Sequence, residues 1–173
     1  MKKLLVEIKA RCTKNDEIRK LLKERNARFI GTDHQIDTYY KVPDGRLKLR
    51  EGKIENSLIF YRRENQAGPK DSHVTLSKMQ EMPEGLNEVL TAALTRLVTV
   101  DKLREIYFID NVKFHLDTVK ELGNFVEIEA IGDPDKDRRE DLLKQCEHYL
   151  QLFSITDEDL VECSYSDLLL RGS

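Results

Sequence analysis

The stretch LLVEIKAR, residues 4–11, alternates between two kinds of side chain. Its charged row contains Glu7, Lys9 and Arg11, and its apolar row contains Leu4, Val6, Ile8 and Ala10. Successive side chains of a β-strand point to opposite faces, so this alternation predicts a strand with one charged face and one apolar face. Leu5 stands on the charged row as its apolar member.

The same period of two recurs in seven further stretches, which predicts about eight strands in all. These stretches are IDTYYKV (36–42), GRLKLRE (45–51), SLIFYRRE (57–64), SHVTLSK (72–78), VDKLREIYFI (100–109), NVKFHLDTV (111–119) and NFVEIEAI (124–131). Short hairpin-like connections at residues 43–45 and 121–124 favour antiparallel neighbours.

Apolar residues at helical spacing predict four helices between and after these strands. The helices are expected over residues 15–26 with Thr13 as N-cap, from near Pro83 to Leu97, from near residue 133, and over residues 165–169. Amphipathic helices need an apolar surface to pack on, and the apolar strand faces provide it. The prediction is an α+β fold, an eight-stranded antiparallel β-barrel (tunnel) with helices packed outside, in a single domain over residues 1–173.

The charged rows of the strands have two interpretations. For any single strand, a polar row is typical of the solvated face of an antiparallel sheet. Here the rows are rich in Arg, Lys and carboxylates and are grouped by sign, as in Arg46, Lys48 and Arg50. If the sheet curls into a barrel beneath outer helices, these rows line its interior, which in an eight-stranded barrel is filled by side chains or holds one small ligand.

The charges of the interior predict the charge of its ligand, because burying a charge without a counter-charge is costly. The inward cations Lys9, Lys48, Arg50, Arg63, Lys102 and Arg104 call for a polyanion. The inward carboxylates Glu7, Glu127 and Glu129 call for a divalent cation. A metal-bound triphosphate satisfies both, since Arg bridges phosphate oxygens with its planar fork and Lys supplies a movable point charge.

Glu127 and Glu129 are the sharpest local signal for a metal, because they lie about 7 Å apart along one strand face by the usual rise. Magnesium usually takes one or two carboxylates and completes its shell with waters and phosphate oxygens. Asp117 is predicted either as a further ligand or as the partner that positions a cation. For His115, the simpler interpretation is a hydrogen-bonded core residue.

The composition argues against other classes of function. The chain has 173 residues with 35% charged residues and a net charge of -3, so its overall charge favours neither nucleic acid nor a membrane surface. Its three cysteines form no Cys-x-x-Cys pair, which favours a reducing, cytoplasmic setting. No apolar stretch reaches transmembrane length.

A set of motifs covering nearly the whole chain resembles the CYTH superfamily of triphosphate tunnel metalloenzymes. The motifs are VEIKAR, QIDTYY, GRLKLRE, LIFYRRE, AGPKDS, KLRE, VKFHLD, LGNFVEIE and CSYSDLL. This superfamily includes class IV adenylyl cyclases, thiamine triphosphatases and inorganic triphosphatases, and GRLKLRE and HLD resemble the class IV cyclase-like branch. Two positions depart from the family pattern: Leu5 replaces the first Glu of Glu-x-Glu-x-Lys, and Lys113 stands where many relatives have Arg.

Together, the strand parity and the resemblance give a set of candidate site residues. Phosphate contacts are expected from Lys9, Arg46, Lys48, Arg50, Arg63, Lys102, Arg104 and Lys113. Metal ligands for Mg²⁺ or Mn²⁺ are expected at Glu7, Glu127, Glu129 and Asp117, and catalytic roles at Lys9, Arg104 and Asp117.

Three functions stay open on this site. The first is a cyclase that converts ATP to cyclic AMP and pyrophosphate. The second is a triphosphatase acting on an inorganic or organic triphosphate, and the third is a non-catalytic binder, because of Leu5. The expected partner is a small-molecule triphosphate, with no nucleic acid and no membrane, and a homodimer is left open.

Overall fold

The computed structural model describes residues 2–62 and 66–172 and contains eight strands in one closed antiparallel barrel. The strands are β1 (Lys2–Arg11), β2 (Arg28–Tyr40), β3 (Arg46–Glu51), β4 (Asn56–Arg62), β5 (Lys70–Met79), β6 (Arg96–Ile109), β7 (Val112–Val119) and β8 (Gly123–Gly132). Around the barrel their order is β1-β5-β4-β3-β2-β6-β7-β8, and β8 pairs back with β1. The predicted barrel and its α+β class are confirmed.

All four predicted helices are present, with different bounds. They are α1 (Asn15–Glu24), α2 (Leu86–Ala93), α3 (Arg139–Leu152) and α4 (Tyr165–Arg171). The predicted N-cap at Thr13 is wrong: α1 has Lys14 at that position, without a capping side chain. Helix α2 ends before Leu97 because the backbone of Leu94 is extended and leads into β6. Helix α3 begins later than predicted because Asp133 accepts backbone hydrogen bonds from residues 135–137 in a separate turn.

The apolar outer face of the barrel forms one core with α1 and α3. This outer core contains Val6, Ile8 and Ala10 from β1, Phe114 and Leu116 from β7, Val126, Ile128 and Ala130 from β8, and Ile18, Leu22, Leu142 and Cys146 from the helices. The Phe114 ring packs edge-on against Tyr149, with ring centroids 4.7 Å apart. Helix α2 differs from α1 and α3, because it has no buried residue.

One end of the barrel is covered by residues 161–167, here called the closing segment. Arg46, at the start of β3, donates to Asp167 at 2.8 Å and to the hydroxyl of Ser164 at 2.7 Å. The Lys70 ammonium, on β5, donates to the backbone carbonyl of Val161 at 2.7 Å. These contacts fix the segment across the barrel end at which β3 begins.

No helix within residues 2–62 and 66–172 combines the length and the apolar character needed to cross a membrane. All three cysteines are buried and free, in agreement with the absence of any paired cysteine motif in the sequence.

Candidate functional site

A cavity of about 490 Å³ lies inside the barrel and is lined by the charged rows of the strands. Among the residues that the structure describes, its cations are Lys3, Lys9, Lys48, Arg50, Lys78, Lys102, Arg104 and Lys113. Its carboxylates, within the same described ranges, are Glu7, Asp37, Glu55, Glu127 and Glu129. Five of the predicted inward cations therefore face the cavity: Lys9, Lys48, Arg50, Lys102 and Arg104. Arg63, a predicted phosphate contact, lies outside the described residues.

Three cations of the cavity converge on the single carboxylate of Asp37, a β2 residue that sequence reasoning missed. Arg50 donates to both of its oxygens at 2.8 Å, Lys102 donates at 2.8 Å and Lys48 at 3.1 Å. Burial would raise the pKa of Asp37, but these three cations hold it well below its usual value. The carboxylate neutralises only part of the positive charge around it.

Lys102 is the cation most affected by this crowding. Its ammonium is fully buried, and burial lowers the pKa of Lys102 to about 7, against the attraction of Asp37. Repulsion from Arg50, Arg104 and Lys48 acts in the same direction as burial. A buried lysine that titrates near neutral pH indicates a site where further negative charge would be favourable.

Asp117 forms an ion pair with Arg104 and does not itself line the cavity. Arg104 donates to the two Asp117 oxygens at 2.7 and 2.5 Å, and its guanidinium also reaches Glu127 at 3.0 Å. The hydroxyl of Tyr165, in the closing segment, donates to Asp117 at 2.7 Å. Of the two roles left open for Asp117, this arrangement fits the partner that positions a cation.

Glu127 is the counter-ion of a second cluster. Besides Arg104, it receives the Lys9 ammonium at 3.4 Å and the Nδ1 atom of His115 at 3.0 Å. Burial, with Arg104 and Lys113, lowers the pKa of His115 against the opposing effect of Glu127. His115 is therefore hydrogen-bonded, as predicted, and its ring also lines the cavity.

Glu7 and Glu129 are paired directly across the β1–β8 seam, and both line the cavity. Two carboxylates opposite one another on one sheet face repel each other unless a cation lies near them. Lys113 is the β7 neighbour of Glu129. Leu5, two residues before Glu7, lines the cavity as predicted and is 6% exposed.

The carboxylates of the cavity do not form a complete metal site by themselves. Within residues 2–62 and 66–172, no group of three or more His, Cys, Asp or Glu side chains is arranged to hold a metal ion. Two facing carboxylates nevertheless fit magnesium or manganese, because such an ion usually takes one or two carboxylates and fills its shell from phosphate and water. The residues present therefore fit a metal that arrives with, or is completed by, a phosphate ligand.

Two other predicted phosphate contacts occupy unexpected surroundings. Arg46 is bound to the closing segment through Asp167 and Ser164, and it does not itself line the cavity, although Ser164 does. Lys113 lines the cavity and forms an ion pair with Glu55, which comes from the β3–β4 turn. Neither Glu55 nor the closing-segment Tyr165 belongs to an alternating strand, so periodicity could not have identified them.

Comparisons with known proteins identify the family and the fold of this chain. A family model described as the CYTH domain matches residues 4–165. The chain belongs to the CYTH domain family. The chain is also 24% identical over 180 residues to the Methanocaldococcus jannaschii protein named "Putative adenylate cyclase MJ0240", and the match covers 96% of this chain and 98% of that protein.

Solved structures share the fold of this CYTH domain. The PH1012 protein of Pyrococcus horikoshii OT3 superposes with a TM-score of 0.80 at 24% identity, over 95% of this chain and 98% of that chain. A Hippeastrum protein, HpAC1, superposes with a TM-score of 0.62 at 13% identity, over 97% of this chain and 95% of that chain. HpAC1 is described as a putative adenylyl cyclase that reveals a dominant triphosphatase activity.

Proposed function

We propose that this CYTH domain binds a linear triphosphate inside its barrel and processes it with the help of a divalent metal. The observation that carries the proposal is the convergence of Lys48, Arg50 and Lys102 on the one carboxylate of Asp37. Excess buried positive charge is costly without a counter-ion, and a polyanion in the cavity would supply the missing negative charge.

The cations divide into two chemical kinds that suit a chain of phosphates. Arg50 and Arg104 present planar forks whose N–H groups can bridge phosphate oxygens, and carboxylates fix both guanidinium groups in orientation. Lys9 and Lys102 add point charges near the closing segment, where the Lys9 ammonium lies 4.0 Å from the Tyr165 ring centre. Their shared role is to stabilise the charge that develops on phosphoryl oxygens.

A metal ion is proposed at Glu7 and Glu129, the facing pair of the β1–β8 seam. When bound, Mg²⁺ or Mn²⁺ would neutralise charge on the phosphate oxygens and orient them. Glu127 and Asp117, also predicted as metal ligands, contact cations in this structure. Their part in metal binding stays a prediction, and we assign them first the positioning of Arg104.

For the reaction, we propose cyclisation of ATP first. The name of the M. jannaschii relative and the cyclase-like motifs GRLKLRE and HLD support this choice. Hydrolysis of a triphosphate is the second candidate, because a dominant triphosphatase activity is described for the Hippeastrum protein, which has the same fold. Binding without turnover is the third, because Leu5 stands where the family pattern has a carboxylate.

One assay separates these candidates. The purified protein is incubated with ATP, tripolyphosphate or thiamine triphosphate, each with Mg²⁺ and with Mn²⁺, and the products are separated. Cyclic AMP supports the cyclase and orthophosphate supports the hydrolase. Binding of a triphosphate, measured by calorimetry on the same protein, without any product supports the third candidate. Arg19→Ala is the control variant and should behave as wild type, because Arg19 pairs with Glu105 on the outside of the barrel. If no triphosphate binds, the proposed function is wrong.

A further inference from the structure

Glu55 is a carboxylate inside the cavity that does not come from a strand. It belongs to the β3–β4 turn, and its side chain forms ion pairs with Lys113 and, at 3.4 Å, with Arg50. Burial opposes ionisation, but Lys113 and Arg50 keep the pKa of Glu55 well below its usual value. Two cations predicted to contact phosphate therefore already have an internal anion between them.

The position of Glu55 is built into the turn. The fully buried carboxylate of Asp33 accepts the backbone N–H groups of Lys53 at 2.7 Å, Ile54 at 3.0 Å and Glu55 at 3.0 Å. A Cβ atom on Gly52 would lie 2.6 Å from an Asp33 oxygen, so only glycine fits there. This clamp fixes the backbone of the turn, from which the Glu55 side chain extends into the cavity.

Gln35 connects the clamp to the cavity. Its amide donates to Asp33 at 2.9 Å and to the Glu55 carboxylate at 3.2 Å. The Gln35 side chain is fully buried, so both carboxylates have a fixed donor between them. This contact directs Glu55 toward the cavity, where its side chain is still partly exposed.

The turn lies at the end of the barrel opposite the closing segment. Strand β3 runs from Arg46, which contacts that segment, to Glu51, which precedes the turn. Lys9 lies near the closing segment, where it also contacts the carbonyl of Cys163 at 3.5 Å. The cavity therefore has deep cations near the closing segment and outer cations, Arg50 and Lys113, that contact Glu55.

We propose that Glu55 determines how long a polyphosphate the cavity accepts, by competing with phosphate for Arg50 and Lys113. This inference rests on the proposed function, because it takes the cavity as the triphosphate site. A short anion bound to the deep cations leaves Glu55 in place. Each additional phosphate toward the turn needs the donors that Glu55 holds and meets the repulsion of its charge.

The test is metal-free calorimetric binding of pyrophosphate, tripolyphosphate and a longer linear polyphosphate to wild type and to Glu55→Gln. Removing the negative charge of Glu55 should tighten tripolyphosphate binding about tenfold, which is near the low end of the cost of placing two like charges together. The gain should be smaller for pyrophosphate and larger for the longer chain. Glu105→Gln is the control, because Glu105 pairs with Arg19 outside the barrel and should give no gain with any anion.

The outcomes separate the two proposals. If wild type binds tripolyphosphate and Glu55→Gln gives no gain, or an equal gain for every length, the role of Glu55 is wrong and the triphosphate site stands. If neither protein binds any of the anions, either metal-free or with Mg²⁺ or Mn²⁺ added, the proposed function fails, and the role of Glu55 with it. Should Glu55→Gln not fold, Glu55→Asp keeps the charge on a shorter arm. It should show a smaller gain in the same direction, and no gain would overturn the inference.

Discussion

The two faces of β1, β7 and β8 have opposite characters, although they are made by alternate residues of the same strands. Outward residues such as Ile8 and Phe114 pack in the outer core under α1 and α3. Inward residues such as Lys9 and Glu127 form ion pairs around the cavity. An apolar face that packs under helices makes folding more favourable. An interior with excess positive charge is stabilised fully only when an anionic ligand supplies the missing counter-charge. Residue parity therefore places the charged groups on the inward face, which also carries an apolar cluster beside the closing segment that includes Leu5, Phe125 and Tyr165.

The sharpest test of this difference between the two faces is Phe114→Ala in the outer core. Phe114 is fully buried, and truncating such a ring should lower the free energy of unfolding by about 3–5 kcal/mol. Denaturant unfolding followed by circular dichroism measures the loss. Where the variant is still folded, its affinity for tripolyphosphate should equal that of wild type. A comparable loss of affinity in the folded variant would show that the two faces are coupled.

In the interior, Arg50→Ala should weaken tripolyphosphate binding, with the chain still folded. Losing one charge-assisted contact costs about 1.5–3 kcal/mol, roughly a tenfold to hundredfold loss of affinity. Asp37 keeps Lys48 and Lys102 as partners, so its buried carboxylate still has counter-ions in the variant.

The matched control for Arg50→Ala is Arg46→Ala, on the same row of β3. Arg46 does not itself line the cavity and can act on it only through the closing segment, so its loss should change affinity much less. Calorimetry with metal present measures both variants. Equal losses for the two, or none for Arg50→Ala, would contradict the assigned roles.

Binding should also depend on pH through Lys102. Its pKa is lowered from 10.5 to about 7 in the folded protein, and a bound polyanion favours the charged form. Raising the pH above 7 neutralises Lys102 in the free protein, so binding must take up a proton. Affinity should then fall by up to about tenfold per pH unit from this group alone.

Calorimetry in buffers of different ionisation enthalpy measures the proton uptake above pH 7. The control is Lys102→Met, which keeps the ionisation of the anion itself but lacks the lysine. An identical pH profile in both proteins would refute the role of Lys102. In the ligand-free protein, the unfolded chain binds the extra proton between pH 7 and 10.5, so Lys102 should make stability rise with pH in that window.

The smallest expected effect comes from Leu5→Glu. Leu5 faces the cavity two residues from Glu7, so a carboxylate there would join the proposed metal site. We expect several-fold tighter Mn²⁺ binding in the presence of tripolyphosphate, and Mn²⁺ should bind more tightly than Mg²⁺ in wild type. Calorimetric titration of the metal reports this independently of turnover. Unchanged metal affinity in a folded variant would mean that position 5 has no part in the site.

Strand alternation predicted the barrel because side-chain period and burial coincide in most strands. It missed the first half of β2, residues 28–35, where no clean alternation exists and a β-bulge shifts the register near Gly31. The end of α2 was misjudged for a related reason. The apolar residues Leu94 and Leu97 continue the helical spacing, but the chain turns there into β6.

Within the site, strand parity predicts which way a side chain points but not which side chain it pairs with. It places Lys48, Arg50 and Lys102 inward, but it does not identify the carboxylate that they share, Asp37. Asp37 lies on the same face of β2 as Tyr39, and both line the cavity. Glu55 could not be found in this way, because a turn has no period and its direction depends on the distant Asp33.

The β1–β8 seam has a kinetic consequence. It joins residues 4–11 to residues 125–132, so the barrel closes only when the ends of a long stretch of chain meet in register. Contacts of such sequence separation make folding slow, because loop-closure entropy is lost before they form. Closure also gathers the buried cations into one space. A polyanion that binds only the closed barrel stabilises it by mass action, so we expect the ligand of this tunnel to act also as a template for completing its fold.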